Sequence, residues 1–311
     1  MGTDLDLVIV GGGAAGLSAA QYGARGNLHT LVLEETATGG QAIVIDVLEN
    51  YPGLLEPLNG FEFCQKMEQQ AQKFGAEFRN SSVSSVRKEN GIFIVETDQG
   101  PMTASAVIVA TGAKHKKLGV PGEEAFAGKG VSYCATCDGP FFRNKRMVVV
   151  GGGDAACDEA GYLANLASEV IMVHRRDRFR AQKALAARVL ANPKIRVRFN
   201  AEVEEITGDT AVRAVRIRDS AAGTSALEET AAVFVFIGSI PQTAAAAGAA
   251  LDEAGYIVTD QRMQTSIPGL FAAGDVRSSP FRQIVVAAAE GAIAAHCAGQ
   301  YIEEMRGEAY R

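Results

Sequence analysis

The chain has 311 residues, of which 47% are hydrophobic and 21% charged, with a net charge of −6. That length suits about two domains, the apolar share excludes a disordered chain, and the acidic balance argues against nucleic acid as a partner. Asp4 and Asp6 lead straight into an apolar run, so no basic, apolar leader is expected; no apolar run approaches the ~20 residues that span a bilayer, so no membrane is expected either.

Leu7-Val8-Ile9-Val10 reads as a buried parallel strand. Gly11-Gly12-Gly13-Ala14-Ala15-Gly16 follows, with a helix expected from Leu17 to Gly23. This is G-x-G-x-x-G in strand–turn–helix context. Its glycines permit a tight turn and close approach to a pyrophosphate, and the helix N-terminus offers free N–H groups to phosphate. The next strand, Thr30-Leu31-Val32-Leu33, ends on Glu34, an acid placed to accept hydrogen bonds from a ribose. Gly39-Gly40-Gln41 and Glu49-Asn50-Tyr51-Pro52-Gly53 read as turn-rich loops. Phe61 to Phe74 has helical spacing, with Cys64 as a core residue. Val83 to Val95 reads as antiparallel strands around a turn at Asn90-Gly91. Ala106 to Ala110 is another buried strand, closed by Thr111-Gly112. Lys114-His115-Lys116-Lys117 marks a first domain crossing.

Cys134-Ala135-Thr136-Cys137-Asp138 comes next. Two cysteines three apart can close a small disulfide ring that opens as a two-electron switch. The pair is also half of a structural zinc site. A second pair is missing: Cys64, Cys157 and Cys297 are isolated, as are His29, His115, His174 and His296, so no metal is expected. A purely structural disulfide is disfavoured, because so small a ring constrains little of the unfolded chain. Five cysteines without a framework of spacings fit a reducing cytoplasm.

Met147 to Val150 and Gly151-Gly152-Gly153-Asp154-Ala155-Ala156 repeat the first strand and turn at an offset of 140. The repeat makes chance a poor explanation for either copy. At the same offset Glu34 becomes His174, followed by Arg175, Arg176 and Arg180. Arginine there suits a 2′-phosphate that an acid would repel. The first site therefore suits an unphosphorylated adenosine ribose, and the second suits NADPH.

Further strands are expected over Ile195 to Ile206 and Ala211 to Arg218, a loop over Ala221 to Leu227, and a buried strand from Val233 to Gly238. Pro241-Gln242-Thr243 marks the return crossing. A strand ends on Asp275, and an apolar helix over Phe281 to Gly299 carries His296 and Cys297 as core or rim residues.

Together these residues resemble the low-molecular-weight, NADPH-dependent thioredoxin reductases over essentially the whole chain. The resemblance rests on Gly11 to Gly16, Gly39-Gly40-Gln41, Glu49 to Gly53, Ala110-Thr111-Gly112, Cys134 to Gly139, Gly151 to Ala156, His174 to Ala181, and Gly274-Asp275-Val276 with Arg282-Gln283. It implies an α/β fold with two Rossmann-like domains and a homodimer. Residues 1–114 and 244–311 would form a discontinuous FAD-binding domain; 115–243 would be an inserted NADPH-binding domain carrying the dithiol.

By the same resemblance, Gly13 and Gly16 would meet the FAD pyrophosphate and Glu34 its ribose, with Gly11, Ala14, Ala15 and Glu35 also cofactor-binding. Gly40, Gln41, Asn50, Val83, Ala110, Thr111 and Gly112 would line the flavin site. Gly274, Asp275, Arg282, Gln283 and Ile284 would complete it, Asp275 at the ribitol and Gln283 at the ring edge. Gly153, Asp154, Ala155, His174, Arg175, Arg176, Arg180, Ile237 and Gly238 would hold NADPH. Three positions depart from the family's habit: Ala42 to Ile45 replaces a threonine-rich loop, Gln242 replaces asparagine, and Phe281 replaces tyrosine.

The resemblance implies reduction of thioredoxin by electrons passing from NADPH through FAD to the Cys134–Cys137 disulfide. Cys137 would stand next to the flavin and Cys134 would attack the partner, with Asp138 as acid and base. The crossings near Lys114 and Thr243 would be the hinges of a domain rotation. Rival readings are the flavoprotein reductase of a peroxiredoxin system, a flavin-dependent dithiol oxidase, and a nucleotide- or metal-binding regulatory module. The first would carry an extra N-terminal disulfide-bearing domain, and the second would not need His174 to Arg180.

Overall fold

The computed structural model describes residues 3–45, 48, 50–56 and 58–308. The chain divides into two compact units, Met1–Lys114 with Ile240–Arg311, and His115–Ser239. Each is an α/β body built on a parallel sheet. Among the described residues, no helix is long and apolar enough to cross a membrane.

In the first unit the sheet runs, by strand, Glu77–Asn80, Thr30–Glu34, Leu5–Val10, Gly100–Val109, Ile92–Thr97 and Val83–Glu89. The first four are mutually parallel, the last two join as an antiparallel hairpin, and Leu270–Ala272 lies parallel to Gly100–Val109. The hairpin turns at Asn90 and Gly91, both at positive φ, as a two-residue turn between right-twisted strands requires. Leu5–Val10 is buried along both faces, which is why it reads as a continuous apolar run. Leu7 and Ile9 pack toward Ala15 and Ala19 of the helix Ala14–Arg25 and Ala294 and Ala298 of the helix Ile284–Arg306. Val8 and Val10 pack on the other face with Val86, Phe93 and Ile257.

The second unit repeats this frame. Its sheet runs Ile195–Arg198, Glu169–Val173, Arg146–Gly151, Ala232–Phe236 and Val131–Ser132, all parallel. Met147 and Val149 face Ala156, Ala160 and Leu163 of the helix Asp154–Leu166. Val148 and Val150 face Val203, Val215 and Ile217 of a three-stranded antiparallel sheet. The offset of 140 carries through the register: Val10 pairs with Leu33, and Val150 with Val173.

Several local expectations are corrected. The first helix begins at Ala14, because Gly13 serves as its N-cap. Residues 40–44 form a short 3₁₀ helix where a loop was expected. The C-terminal helix begins at Ile284, since Gln283 is extended, and runs to Arg306, where Gly307 closes it in the left-handed region. The expected loop over Ala221 to Leu227 contains the start of a strand, Thr224–Glu229, antiparallel to Val212–Asp219. Almost every residue of that strand is exposed, so no apolar alternation announces it.

Candidate functional site

The two glycine turns share one construction. A Cβ on Gly11 would stand 2.5 Å from the Ala110 carbonyl oxygen, and one on Gly151 would stand 2.4 Å from that of Phe236. In each unit the turn therefore crosses the end of a neighbouring parallel strand so closely that only glycine fits. Gly13 and Gly153 are the N-caps of the helices that follow, in extended conformation and without a side-chain cap. The first-turn N–H groups are left for an outside acceptor. Space around a Cβ on Gly13 is open to 4 Å, so an anion can approach there.

In the first unit Glu34 closes the turn. Its Oε2 accepts from Gly12 N at 2.7 Å, and its Oε1 accepts from Thr36 N at 3.1 Å and Thr36 Oγ1 at 3.2 Å. A carboxylate has about four lone-pair sites, so one holding three donors can still receive a ribose hydroxyl. Glu35 is exposed beside it, and Val83 opens the edge strand Val83–Glu89. Gln41 donates from its amide to the Ala113 carbonyl, and Ala110 N donates to Val10 O at 2.7 Å. Thr111 Oγ1 donates to the Gln242 carbonyl at 2.5 Å, and Gln242 N to the Gly112 carbonyl at 2.9 Å. The backbone of Gln242 makes these bonds, and its amide donates locally to Ile240 O, so they do not require the side chain that departs from the family's habit.

Two residues far apart in sequence are brought together: Asn50 Nδ2 donates to Gln283 Oε1 at 3.2 Å. Arg282 lies over the Tyr256 ring at 4.2 Å. Asp275 is pushed above the usual carboxylate range by burial, an effect that Arg282 opposes and Glu290 reinforces. Ile284 opens the C-terminal helix. Glu49 lies outside the described residues.

Sequence reasoning passed over the pair that holds the Gly274-Asp275 turn. Glu290, 6% exposed, accepts from Gly274 N at 2.8 Å and from the Arg277 guanidinium. Arg277 Nε also donates to Thr259 Oγ1 at 2.8 Å. The available signal was a lone charge inside the apolar run Ile284 to Ala295, since carboxylates are almost never buried unless paired.

In the second unit His174 lies against the turn: a Cβ on Gly152 would stand 2.3 Å from its ring. Burial lowers the imidazole's proton affinity, with Arg176, Arg175 and Arg180 adding to the effect. Its Nε2 is buried and has no partner among the described residues. An orphaned buried nitrogen is what a bound group would satisfy. Arg175, Arg176 and Arg180 are exposed, and among the described residues no carboxylate pairs with them. Arg180 N and Ala181 N both donate to Gly152 O, while Asp154 accepts from Gln182 N at 2.7 Å. These bonds bind the arginine segment to the glycine turn and to Asp154, which Ala155 follows in the first turn of the helix. Ile237 and Gly238 follow the strand that pairs with Gly151. The donor sets of both units fit dinucleotides: acid-closed in the first, cation-closed in the second.

Cys134 and Cys137 are joined as a disulfide, with Cα atoms 5.4 Å apart. Cys134 is the N-cap of the short helix Ala135–Asp138. Both sulfur-bearing residues and Asp138 are half-buried. Asp138 N donates to Cys134 O at 3.2 Å, and Cys134 N to Ser132 Oγ at 3.1 Å. Ala135 is fully buried and packs with Ala156, Cys157 and Ala160, so the redox turn leans on the helix that follows the glycine turn. Cys64, Cys157 and Cys297 are free and buried, and burial pushes the Cys64 and Cys157 thiols up to about 11. Such thiols are inert at neutral pH.

The sequence pattern that describes the pyridine nucleotide-disulphide oxidoreductases matches residues 5–291. The thioredoxin reductase of Treponema pallidum (strain Nichols) is 53% identical over 306 residues, covering 98% of this chain and 100% of that protein. That of Bacillus subtilis (strain 168) is 43% identical, covering 97% and 96%. The crystal structure of thioredoxin reductase from Streptococcus pyogenes MGAS5005 superposes with a TM-score of 0.90 at 42% identity, covering 96% of this chain and 98% of that one.

Proposed function

This chain belongs to the pyridine nucleotide-disulphide oxidoreductase family, among the thioredoxin reductases, and from that premise we propose that it reduces oxidised thioredoxin with NADPH through a bound FAD. The observation that carries the reading is the Cys134–Cys137 disulfide, standing in the same unit as the His174, Arg175, Arg176 and Arg180 cluster. The first unit is the FAD-binding domain and the second the NADPH-binding domain in this reading. A bound flavin supplies a carrier that takes a hydride's two electrons from the nicotinamide and delivers them to a disulfide.

The residues' own part is as follows. The first-turn N–H groups after Gly13, with Glu34, Asp275 and the Asn50–Gln283 pair, hold and orient FAD. Arg175, Arg176 and Arg180 hold the 2′-phosphate by charge-assisted hydrogen bonds. Two electrons and two protons convert the Cys134–Cys137 disulfide to a dithiol. The Cys134 thiolate attacks one sulfur of the thioredoxin disulfide, and the other sulfur leaves as a thiol. Cys137 then attacks the Cys134 sulfur of the mixed disulfide, which releases reduced thioredoxin and restores the ring. Asp138 takes and returns the thiol protons. The working form is a homodimer in the cytoplasm, whose reducing environment suits a disulfide kept in turnover.

The test is NADPH oxidation, followed at 340 nm, with the organism's own thioredoxins supplied one at a time to the flavin-loaded protein. Thioredoxin-dependent oxidation supports the proposal. A flavin spectrum with oxygen-dependent oxidation that ignores every thioredoxin would point to a dithiol oxidase and overturn it.

A further inference from the structure

The second unit buries a carboxylate that plays no part in the chemistry above. Glu123 is 1% exposed. Its Oε1 accepts from Leu118 N and from Tyr133 Oη, and its Oε2 from Gly119 N, each at 2.8 Å. Among the described residues no lysine or arginine forms an ion pair with it. Burying a carboxyl group away from water is costly, and three donors offset that cost only while all three are in place.

Those donors come from two places that matter. Leu118 and Gly119 belong to the segment by which the chain enters the unit at His115. Tyr133 immediately precedes Cys134 of the redox disulfide. A second contact follows the same path: the His115 and Tyr133 rings stack with centroids 5.3 Å apart at 14°. Ser132 Oγ then receives Cys134 N at 3.1 Å. The carboxylate stands on a fixed base. Ile206 N donates to Pro121 O at 2.9 Å, and a Cβ on Gly122 would stand 1.9 Å from the Ile206 carbonyl oxygen. The turn carrying Glu123 is thus pressed onto the antiparallel sheet of the same unit.

We propose that Glu123 is a positioning residue for the redox disulfide, which through Tyr133 fixes Cys134 to the segment by which the chain enters its second unit. The inference rests on the reading that Cys134–Cys137 reduces thioredoxin. Glu123 touches neither sulfur. It sets where the strand delivers Cys134, and it makes the entry segment and the redox turn move as one piece.

The experiment uses the flavin-loaded full chain carrying Tyr133→Phe or Glu123→Gln. Two NADPH-driven activities are measured: reduction of thioredoxin, which passes through the disulfide, and reduction of ferricyanide, which needs only the flavin. Tyr133→Phe removes one bond to a carboxylate and keeps the ring stack and both backbone bonds. We expect its thioredoxin turnover to fall about tenfold, the rate equivalent of one lost charge-assisted hydrogen bond. Glu123→Gln should lose more, and ferricyanide reduction should stay within about twofold of wild type in both. If Glu123→Gln does not fold, Tyr133→Phe carries the test alone. Equal losses in the two activities would mean a general structural role, and unchanged thioredoxin turnover would mean none; either overturns the proposal. A wild-type protein that reduces ferricyanide but no thioredoxin would instead refute the functional reading on which it rests.

Discussion

In the first unit the strand after the glycine turn ends on Glu34, whose carboxylate is tied to Gly12 N and to Thr36. In the second, the equivalent strand ends at Val173 and is followed by His174, which is pressed against Gly152, and by the exposed Arg175, Arg176, Arg178 and Arg180. The strands, the register and the first glycine of each turn are built alike. The shared part can only recognise what dinucleotides share, a pyrophosphate at a helix N-terminus. The difference lies at the strand end, where an acid favours a ribose diol and cations favour a phosphate. A duplicated frame can therefore present strand ends of opposite charge to two different ligands.

The sharpest way to separate the two units is to remove the element that has no counterpart in the first. Cys134 and Cys137 are joined as a disulfide in the second unit, and among the described residues the first holds none. We expect Cys134→Ser and Cys137→Ser each to abolish thioredoxin reduction, because either change removes the disulfide. NADPH-driven reduction of ferricyanide should survive in both. Cys137→Ser should also form the more persistent mixed disulfide with a thioredoxin lacking its resolving cysteine, visible on a non-reducing gel. Wild-type thioredoxin turnover in either variant would show that the dithiol is not the conduit.

The next largest effect tests the charge contrast directly. Each charge-assisted hydrogen bond from Arg175 or Arg176 to a 2′-phosphate should contribute about 1.5–3 kcal/mol before solvent screening. Both side chains are exposed, so the lower end applies. At ~1.4 kcal/mol per decade, Arg175→Ala with Arg176→Ala should narrow the NADPH-over-NADH preference by about ten- to a hundredfold. The ratio of kcat/KM for the two nucleotides reads it. An unchanged ratio would show that the arginine cluster does not select the nucleotide.

A milder test concerns the helix behind each turn. A Cβ on Gly16 would stand 1.9 Å from the Gly11 carbonyl oxygen, whereas the same position in the second unit is Ala156 and already carries one. Gly16→Ala must push backbone apart and should cost about 1–3 kcal/mol, with loss of bound flavin on gel filtration. Ala156→Gly should cost about 1 kcal/mol through helix propensity. Denaturant midpoints of the two variants decide; a smaller loss for Gly16→Ala would contradict the packing difference.

What the sequence made legible follows the same division. Parallel strands buried on both faces announce themselves as apolar runs, and glycine turns as fixed spacings, so Val10, Gly11, Gly151 and Val150 were readable one by one. The redox pair was readable as chemistry, although its spacing alone left zinc and a structural bridge as alternatives. Thr224–Glu229 was missed because an exposed edge strand needs no apolar face. Glu290 and Glu123 were missed for another reason. Their partners include the backbone N–H groups of Leu118, Gly119 and Gly274, which no side-chain pattern announces, so their roles exist only once the local turns have folded around them.

The smallest effect is a pH dependence that also comes from the comparison. In the first unit Ala15 and Ala19 lie under the C-terminal helix, where a Cβ on Gly291 would stand 2.0 Å from Ala15 O and 3.1 Å from Ala19 N. At the offset of 140 these positions become Ala155 and Glu159. Burial pushes the Glu159 carboxyl up from 4.5 to about 7, and the neighbouring Asp158 adds repulsion. An acid whose affinity for its proton rises on folding favours the folded state while it stays protonated. That contribution is complete below about pH 4.5 and is lost as pH rises through about 7. Glu159→Gln removes the titration and keeps the shape of the neutral acid. Its melting temperature should therefore decline less than that of wild type between pH 5 and pH 8, with the two proteins closest at the acidic end. Parallel melting curves across that range would show that Glu159 is ionised in the folded protein throughout, and that the second unit accommodates its acid as a charge.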